Sequence, residues 1–387
     1  MQTLKSILFP SCFPNLPSEL KLPILFHFYS SSSTSISNPF LHHYLIKTLN
    51  LPKTKALAIS NLYSSVKSLE KPQSVVHFLQ NVGFSDSQIS SSVQGAPKIL
   101  FLNVEKILKP KIEFFQGLGL VGSHLGKFLS KNSCVLYSSL DKRLIPCIKL
   151  IKQILVDDED NDALIKVLHR SSRLAMIDPQ SRLLPNIQFL ESCGISGPQL
   201  SKLLTRQPRI FLMQPSAFKD FVSRVLDMGF STDSRMLVHG IHAFSCLSEM
   251  TFKRKIELLG TYGFSQSDCM DMFRRTPGLI RVSEEKLKLG IQFFMETIKF
   301  DRMVLVARPG ILMFSFEERV FPRYRVLEIL NSKKLLKKKP SFLYVLADLT
   351  EEEFLEKFVS RFEDDAADLL IAYKARLLDT SDEEEIC

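Results

Sequence analysis

Arginine residues recur beside prolines in the middle and C-terminal parts of the chain, and their guanidinium groups are suited to binding phosphate. Arg206 and Arg209 flank Pro208, for example. The guanidinium group presents a planar fork of N–H donors that matches phosphate oxygens. The candidate phosphate-binding residues are Arg170, Arg173, Arg206, Arg209, Arg274, Arg275, Arg281, Arg308, Arg319, Arg323 and Arg325. Spaced along one surface, they would follow a polyanion backbone and make its binding sensitive to salt.

A plainer interpretation applies to each arginine taken singly. Arg and Lys lie at exposed helix ends in many helical proteins, where they interact favourably with the negative end of the helix dipole. The arginines recur at one place in successive units, and the chain carries a net charge of +9. Both facts favour the phosphate interpretation for the set as a whole. Because phosphate contacts position a protein without reading bases, they identify no target sequence.

Three patterns resemble cofactor or metal sites, but their context argues against each of them. Residues 117–122 read G-x-G-x-x-G, a fingerprint that requires a strand before it and a helix after it. Here the glycines fall where a repeated helix is expected to stop. His239 and His242 lack a nearby third ligand, and the acidic run 157–162 lacks the glycine and terminal glutamate of an EF-hand loop. We expect no enzymatic activity, no catalytic residue, no cofactor and no metal.

The arginines belong to a repeating unit, of which eight copies can be aligned with starts 32–39 residues apart. The starts are Ser74, Pro110, Pro146, Pro185, Asp220, Arg254, Gly290 and Pro322. Apolar residues two and five positions after the start predict one buried stripe on a first helix. Proline at a start suits the first helical turn. A glycine nine residues later, as at Gly83 and Gly119, suits a left-handed residue that stops the helix.

A second helix is predicted after each stop. Three stops are followed by the spacing of a capping box. These pairs are Ser85 with Gln88, Ser196 with Gln199, and Ser265 with Asp268. Proline then breaks the second helix, and an apolar segment such as 208–212 is expected to form a single helical turn. Because one such unit cannot bury its stripe alone, we predict an all-α superhelical solenoid of about eight repeats of two helices plus a short turn.

Composition divides the chain into three parts. Residues 1–40 are rich in serine, with one acidic residue and no arginine. This bias is typical of an organellar transit peptide, with a merely disordered N-terminus as the alternative. Residues 41–349 hold the repeats. Residues 350–387 carry 4 basic and 13 acidic residues, and we expect a C-terminal helix and an acidic tail there.

The remaining composition limits the partners. The longest apolar runs reach about eight residues, too short to cross a bilayer, so no membrane partner is expected. Seven cysteines without a C-x-x-C pair are expected to be buried, reduced thiols.

Several features together resemble the mTERF family, the mitochondrial transcription termination factor proteins, over about residues 72–345. They are the repeat length, the two-helix-plus-turn unit, the proline before an Ile/Leu pair and the Gly-Phe stops. The blocks at 283–286, 308–309 and 353–358 are similar to its plant branch. The resemblance implies a helical solenoid whose basic groove binds organellar nucleic acid and regulates organelle gene expression, for example in transcription termination.

The resemblance leaves the ligand and compartment open. Duplex DNA is slightly favoured over RNA, by analogy with the proteins that gave the family its name. The alternatives are an RNA-binding splicing or processing factor, and a helical scaffold that binds protein without nucleic acid. Organellar transcription or RNA-processing proteins are possible further partners, and we expect a monomer. The expected location is the mitochondrion, with the chloroplast as the alternative.

Overall fold

The structure is a computed structural model that describes residues 36–374, and every regular element among them is helical. Helices α1 (Pro39–Lys47) and α2 (Lys53–Leu62) precede the repeats. The first helices of the repeats are α3 (Glu70–Asn81), α5 (Lys109–Gly117), α7 (Ile145–Ile154), α9 (Leu184–Ser192), α11 (Pro215–Asp227), α13 (Glu249–Thr261), α15 (Glu284–Gln292) and α17 (Phe321–Ser332). The second helices are α4 (Asp86–Gly95), α6 (Gly122–Lys131), α8 (Asp162–Arg170), α10 (Gly197–Arg206), α12 (Met236–Ser245), α14 (Gln266–Arg275) and α16 (Arg302–Ala307). The predicted all-α repeat fold is confirmed.

Short helical segments connect the helix pairs. Six closing turns of the 3-10 type follow second helices at Pro97–Phe101, Ser133–Tyr137, Ser172–Ala175, Pro208–Leu212, Pro277–Arg281 and Pro309–Met313. Wider π-type turns lie at Val104–Leu108, Leu140–Leu144, Pro179–Leu183, Phe293–Thr297, Phe316–Val320, Tyr344–Asp348 and Glu356–Ser360. Helix α18 (Glu351–Leu355) is followed by the last wide turn, then by a 3-10 turn at Glu363–Asp365, and finally by α19 (Ala366–Lys374). The predicted unit of two helices plus a turn is therefore present.

The unit-start prolines lie in the first turn of their α-helices, as the sequence predicts, and a wide helical turn precedes each of these α-helices. Pro110 lies six residues into a continuous helical stretch that starts at Val104 and is capped by Asn103. The amide of Leu108 donates to the Asn103 carbonyl at 3.2 Å, which closes a wide turn. Proline lacks an N–H and its ring clashes with the carbonyl four residues earlier in a regular helix. A wide turn directly before the proline relieves that clash, and the same arrangement recurs before Pro146, Pro185 and Pro322.

The predicted helix stops are confirmed, and the predicted caps are confirmed in two of three places. Gly83, Gly119, Gly194, Gly229 and Gly263 all have positive φ, between 81° and 99°. Reciprocal capping boxes form at Ser85 with Gln88 and at Ser265 with Asp268. Ser196 makes no side-chain cap, and Gly197 after it takes φ +50°. The glycines of 117–122 thus lie at the junction of α5 and α6, where the repeat pattern places a stop.

The described chain forms two compact units, which we call unit 1 (up to Arg224) and unit 2 (from Val225). The predicted apolar stripe forms the core in each; only Ile256 and Met295 of its aliphatic members are half-buried. In unit 1 the rings of Phe115 and Phe128 lie 5.4 Å apart. In unit 2 the ring of Phe293 lies 5.2–5.8 Å from those of Phe294, Phe316 and Phe321.

The unit boundary falls within α11, in the repeat that has no 3-10 closing turn after its second helix. Residues 1–35 of the predicted leader and residues 375–387 of the predicted tail lie outside the described residues. The domain limits at residues 40 and 349 stay predictions.

Candidate nucleic-acid interface

The residue that ends the second helix has nearly the same backbone conformation in six repeats. φ lies between −157° and −127° and ψ between 33° and 79° at Ala96, Asn132, Ser171, Gln207, Thr276 and Arg308. In four repeats the next residue is proline, which disfavours the helical conformation of the residue before it. In the other two it is serine, and the hydroxyls of Ser133 and Ser172 donate to Leu129 O (2.9 Å) and Asn132 Oδ1 (2.6 Å). Equivalent residues of successive repeats therefore lie at equivalent places.

In unit 1 this geometry produces a row of exposed cations. Its four closing turns each contact the next one along the chain. The cations occupy the last position of the second helix and the second position of the closing turn. We call this set the basic ridge; its members are Lys98, Lys131, Arg170, Arg173, Arg206 and Arg209. Cations that recur in successive repeats of the sequence therefore lie next to one another on one surface of unit 1.

The ridge arginines differ little in their surroundings. All four are exposed. Arg173, Arg206 and Arg209 make no hydrogen bond or ion pair within residues 36–374. Arg170 donates to the carbonyl of Thr205 in the next repeat and keeps its remaining N–H groups toward solvent. Their donors are available to an external acceptor.

Unit 2 has a second set of arginines at or beside the turns Pro277–Arg281 and Pro309–Met313, which contact each other. We call it the unit 2 cluster; its members are Arg274, Arg275, Arg281 and Arg308. Arg275 and Arg281 are exposed, without an ion pair in the described part of the chain.

The other two arginines of the unit 2 cluster are engaged with the protein. Arg274 is half-buried, donates to the Met228 carbonyl at 2.9 Å and pairs with Asp271. Arg308 is exposed, but its Nη1 lies 3.8 Å from Oδ1 of Asp348. An external phosphate must compete with these carboxylates.

Comparison with known proteins identifies the family. The model of the mTERF family matches residues 76–241 and 236–355, which is most of the chain. The chain belongs to the mTERF family. Two curated relatives from Arabidopsis thaliana are "Transcription termination factor MTERF8, chloroplastic", 20% identical over 261 residues, and "Transcription termination factor MTERF15, mitochondrial", 20% identical over 264. The alignments cover 59% and 68% of this chain and 51% and 50% of the relatives, so the chain spans about half their length.

Each of five mTERF repeats here is closed by a buried donor that the sequence analysis missed. The donor directly follows the unit start, and it binds a carbonyl within or just after the same repeat's closing segment. The bonds are Lys111 Nζ to Leu136 O (2.6 Å), Cys147 Sγ to Ile177 O (3.2 Å), Asn186 Nδ2 to Met213 O (3.0 Å), Lys255 Nζ to Val282 O, and Arg323 Nη1 to Val345 O (2.6 Å). A polar residue at this one position of an otherwise apolar face was the signal in the sequence.

Arg323 must therefore be removed from the predicted interface. Its side chain is 0% exposed and lies 4.8 Å over the ring of Phe354. Besides Val345 O, its guanidinium donates to Leu349 O at 2.9 Å and Thr350 O at 3.0 Å, and it pairs with Glu351 at 3.3 Å. A phosphate cannot reach a guanidinium whose donors are buried in this way.

The neighbouring candidates Arg319 and Arg325 are also poorly placed for phosphate. Arg319 is half-buried and donates to the carbonyls of Leu346 and Leu349 at 2.8–3.0 Å. Burial, and next the charge of Arg323, lower its pKa. Arg325 is half-buried in the first helix of the last repeat, away from the end of any second helix.

Burial alters the ionisation of several closing donors and thiols. Burial lowers the pKa of Lys111 and of Lys255, and for Lys255 the nearby Glu284 and Glu285 oppose the change. Burial raises the pKa of Cys147 to about 12 and that of Cys269 to about 11. The five cysteines of the described residues are free thiols; Cys147, Cys193 and Cys269 are buried as predicted, whereas Cys134 is half-buried and Cys246 is exposed.

The other sequence patterns acquire structural explanations. Asp158, in the acidic run, accepts from the amides of Ala163 and Leu164 at 2.7 and 3.0 Å and so caps α8. Between residues 36 and 374 no three His, Cys, Asp or Glu side chains are grouped as metal ligands, and none of these helices is both long and apolar enough to span a bilayer.

Proposed function

We propose that this mTERF-family chain is an organellar nucleic-acid-binding protein that regulates organelle gene expression, for example transcription termination, and that it binds the phosphate backbone along the basic ridge. The proposed role is binding, without catalysis. One observation carries the proposal: exposed cations recur at the end of the second helix, at the second position of the closing turn, or at both, in four successive repeats whose closing turns contact one another. A backbone of regularly spaced phosphates is the chemical partner that such a row fits.

The proposed ligand is duplex DNA in the first place, with RNA as the second choice. Backbone contacts alone suit either polymer, because they read neither base edges nor the 2′-hydroxyl. The family relatives are named as transcription termination factors of a chloroplast and of a mitochondrion. We therefore propose an organellar location, the mitochondrion first and the chloroplast second, and a monomer as the binding form.

The salt dependence of binding tests this proposal. Affinity of residues 41–387 for duplex DNA and for single-stranded RNA would be measured over a series of salt concentrations. Each neutralised phosphate contributes a slope of about −0.9 in log K against log [salt] for duplex DNA and about −0.7 for single strands. Replacing Arg206 and Arg209 by Ala should make the slope shallower by about 2 on the duplex.

A matched variant controls for lost charge. Lys149 and Lys152 are exposed on α7, the first helix of its repeat, and belong neither to a closing turn nor to the end of a second helix, so their replacement by Ala removes two charges outside the ridge. We expect this variant to keep nearly the wild-type slope. If neither polymer binds at low salt, the nucleic-acid proposal is wrong and the ridge serves an acidic protein, as in the scaffold alternative. A steep slope that both variants change equally would instead exclude the ridge as the contact surface.

A further inference from the structure

A cavity of about 560 Å³ opens in unit 1 beside the first closing turn, at the end of the basic ridge. Its walls come from the end of α2, the loop before α3, the start of α3 and the turn Pro97–Phe101. The volume lies in the range of sites that enclose a small ligand. Nothing in the repeat pattern accounts for it, since α2 precedes the first aligned unit.

The cavity is strongly basic. Three exposed lysines line it, Lys67, Lys71 and Lys98, against a single acid, Glu70. None of the three forms a hydrogen bond or ion pair in the described part of the chain; Lys98 Nζ lies 5.9 Å from the centre of the Tyr137 ring. An excess of ammonium groups around one concave space favours an anionic ligand.

The inner wall of the cavity is aromatic. The rings of Tyr63 and Phe101 lie 4.5 Å apart at an interplanar angle of 33°, and both residues are half-buried. The Tyr137 hydroxyl donates to the Ala96 carbonyl at 2.6 Å and fixes the start of the closing turn that carries Phe101. Aromatic rings beside a basic path are the combination by which proteins bind unpaired bases and their phosphates.

We infer that this cavity binds one unpaired nucleotide of a strand that lies along the basic ridge. The base stacks against Tyr63 and Phe101. The phosphate lies among the three lysines. Lys98 belongs to both the ridge and the cavity, so a strand that follows the ridge reaches the cavity without a change of surface. A paired base in a duplex stacks on its neighbours and offers no free face to these rings.

This inference rests on the proposed function and adds a requirement for single-stranded character at one end of the site. The test compares a blunt DNA duplex with the same duplex carrying a short single-stranded extension, at either the 5′ or the 3′ end. Binding to the full chain is followed by fluorescence anisotropy at constant salt. Since stacking of one base typically changes affinity about five- to a hundred-fold, we expect one polarity of extension to bind more tightly by a factor in this range.

Two variants locate the effect. Tyr63→Leu should abolish most of the preference for the extension while leaving affinity for the blunt duplex within about two-fold. Lys67→Gln with Lys71→Gln should reduce the preference and its salt dependence. Lys149→Gln with Lys152→Gln removes the same charge from α7 and should leave the preference unchanged.

The outcomes separate the cavity from the ridge. If wild type binds blunt and extended duplexes equally and Arg206→Ala with Arg209→Ala still weakens both, the cavity inference is wrong and the proposed function stands. If the lysine pair weakens both duplexes by one common factor, the cavity is only part of a general electrostatic surface and the inference is also wrong. If no duplex binds, the proposed function fails and the inference fails with it.

Discussion

Both units carry arginines near the ends of their second helices but surround them with different groups. On the ridge of unit 1, Arg206 and Arg209 have no carboxylate within ion-pairing distance among the described residues. In the unit 2 cluster, Arg308 lies 3.8 Å from Asp348, and Arg274 is held by Asp271. The repeat pattern fixes where a cation stands, whereas residues from neighbouring segments decide whether its donors are available. The predictions below challenge that distinction, starting with the largest effect.

Arg323 is the strongest departure from the repeat pattern, because an arginine of unit 2 acts as a core residue. Arg323→Met would leave the carbonyls of Val345 and Thr350 without this donor, whereas the Leu349 carbonyl would keep its bond from Arg319. Orphaned buried acceptors cost about 1–3 kcal/mol each, whereas the Glu351 side chain is 53% exposed and can be solvated once Arg323 is removed. We expect the free energy of unfolding to fall by about 2–4 kcal/mol in urea denaturation followed by circular dichroism.

Arg281→Met is the matched control, since Arg281 is exposed on a closing turn. Its free energy of unfolding should change by no more than about 0.5 kcal/mol. Hydrogen exchange should localise the loss in the Arg323 variant to peptides spanning residues 321–358. A variant of Arg323 as stable as the control would mean that the carbonyls find other donors and that Arg323 does not close the last repeat.

The contrast between Arg323 and Arg206 shows what the sequence can and cannot predict. Helix stops, caps and the apolar stripe depend on residues within one unit, so local spacing was enough for Gly83 and for the Ser85 capping box. The burial of Arg323 depends on carbonyls 22 to 27 residues further on, which no local pattern reports. Arginine is also rarely buried, so the residue type favoured an exposed position for Arg323. The only sequence signal was the recurrence of polar residues directly after the unit start.

The site shows the same limit. Spacing placed Arg206 and Arg209 correctly at a helix end and a closing turn, because proline fixes the break between them. Spacing could not show that Asp348, forty residues after Arg308, stands beside it. The cavity beside the first closing turn could not be predicted from the sequence either, since Tyr63 and Phe101 come into contact only through tertiary packing.

The second prediction compares the ridge with the unit 2 cluster directly. Arg206→Ala with Arg209→Ala should weaken duplex binding more than Arg274→Ala with Arg308→Ala, because the second pair is already engaged by the Met228 carbonyl and by the carboxylates of Asp271 and Asp348. If exposed ionic contacts contribute up to about 1 kcal/mol each, the ridge variant should lose about five- to thirty-fold in affinity and the cluster variant only a few-fold. Fluorescence anisotropy at low salt measures both. Equal losses would contradict the distinction between the two surfaces.

The third prediction removes the competing carboxylate instead of the cation. Asp348→Asn should free Arg308 for phosphate and raise duplex affinity by about two- to five-fold, because surface ion pairs are worth only about 0.2–1 kcal/mol. Asp364→Asn, at an exposed acid in the Glu363–Asp365 turn, is the control for general charge. It should have a smaller effect, and combining Asp348→Asn with Arg308→Ala should abolish the gain. A gain that survives loss of Arg308 would reflect net charge alone.

The smallest expected effect is a difference between two closing donors, Lys111 of unit 1 and Lys255 of unit 2, in how their contribution to the free energy of unfolding depends on pH. An unfolded lysine titrates near pH 10.4, and burial lowers the pKa of both Lys111 and Lys255 in the folded chain. Between the folded and unfolded pKa values the unfolded chain binds more protons, so this group's contribution to the free energy of unfolding increases with rising pH. Lys111→Met removes that contribution, and the stability of wild type relative to the variant should therefore grow from about pH 8 to about pH 10.

For Lys255 the glutamates Glu284 and Glu285 favour the charged form and oppose the effect of burial. The corresponding growth for Lys255→Met should therefore be smaller, and replacing both glutamates by glutamine should enlarge it. Urea denaturation of wild type and both variants at the two pH values gives the comparison, in which other titrating groups cancel because they are common to each pair. If the stability difference between wild type and Lys111→Met stays constant or shrinks with rising pH, burial does not disfavour the charged form of Lys111 in the folded chain. The glutamates near Lys255 would then not explain a difference between the closing donors of the two units.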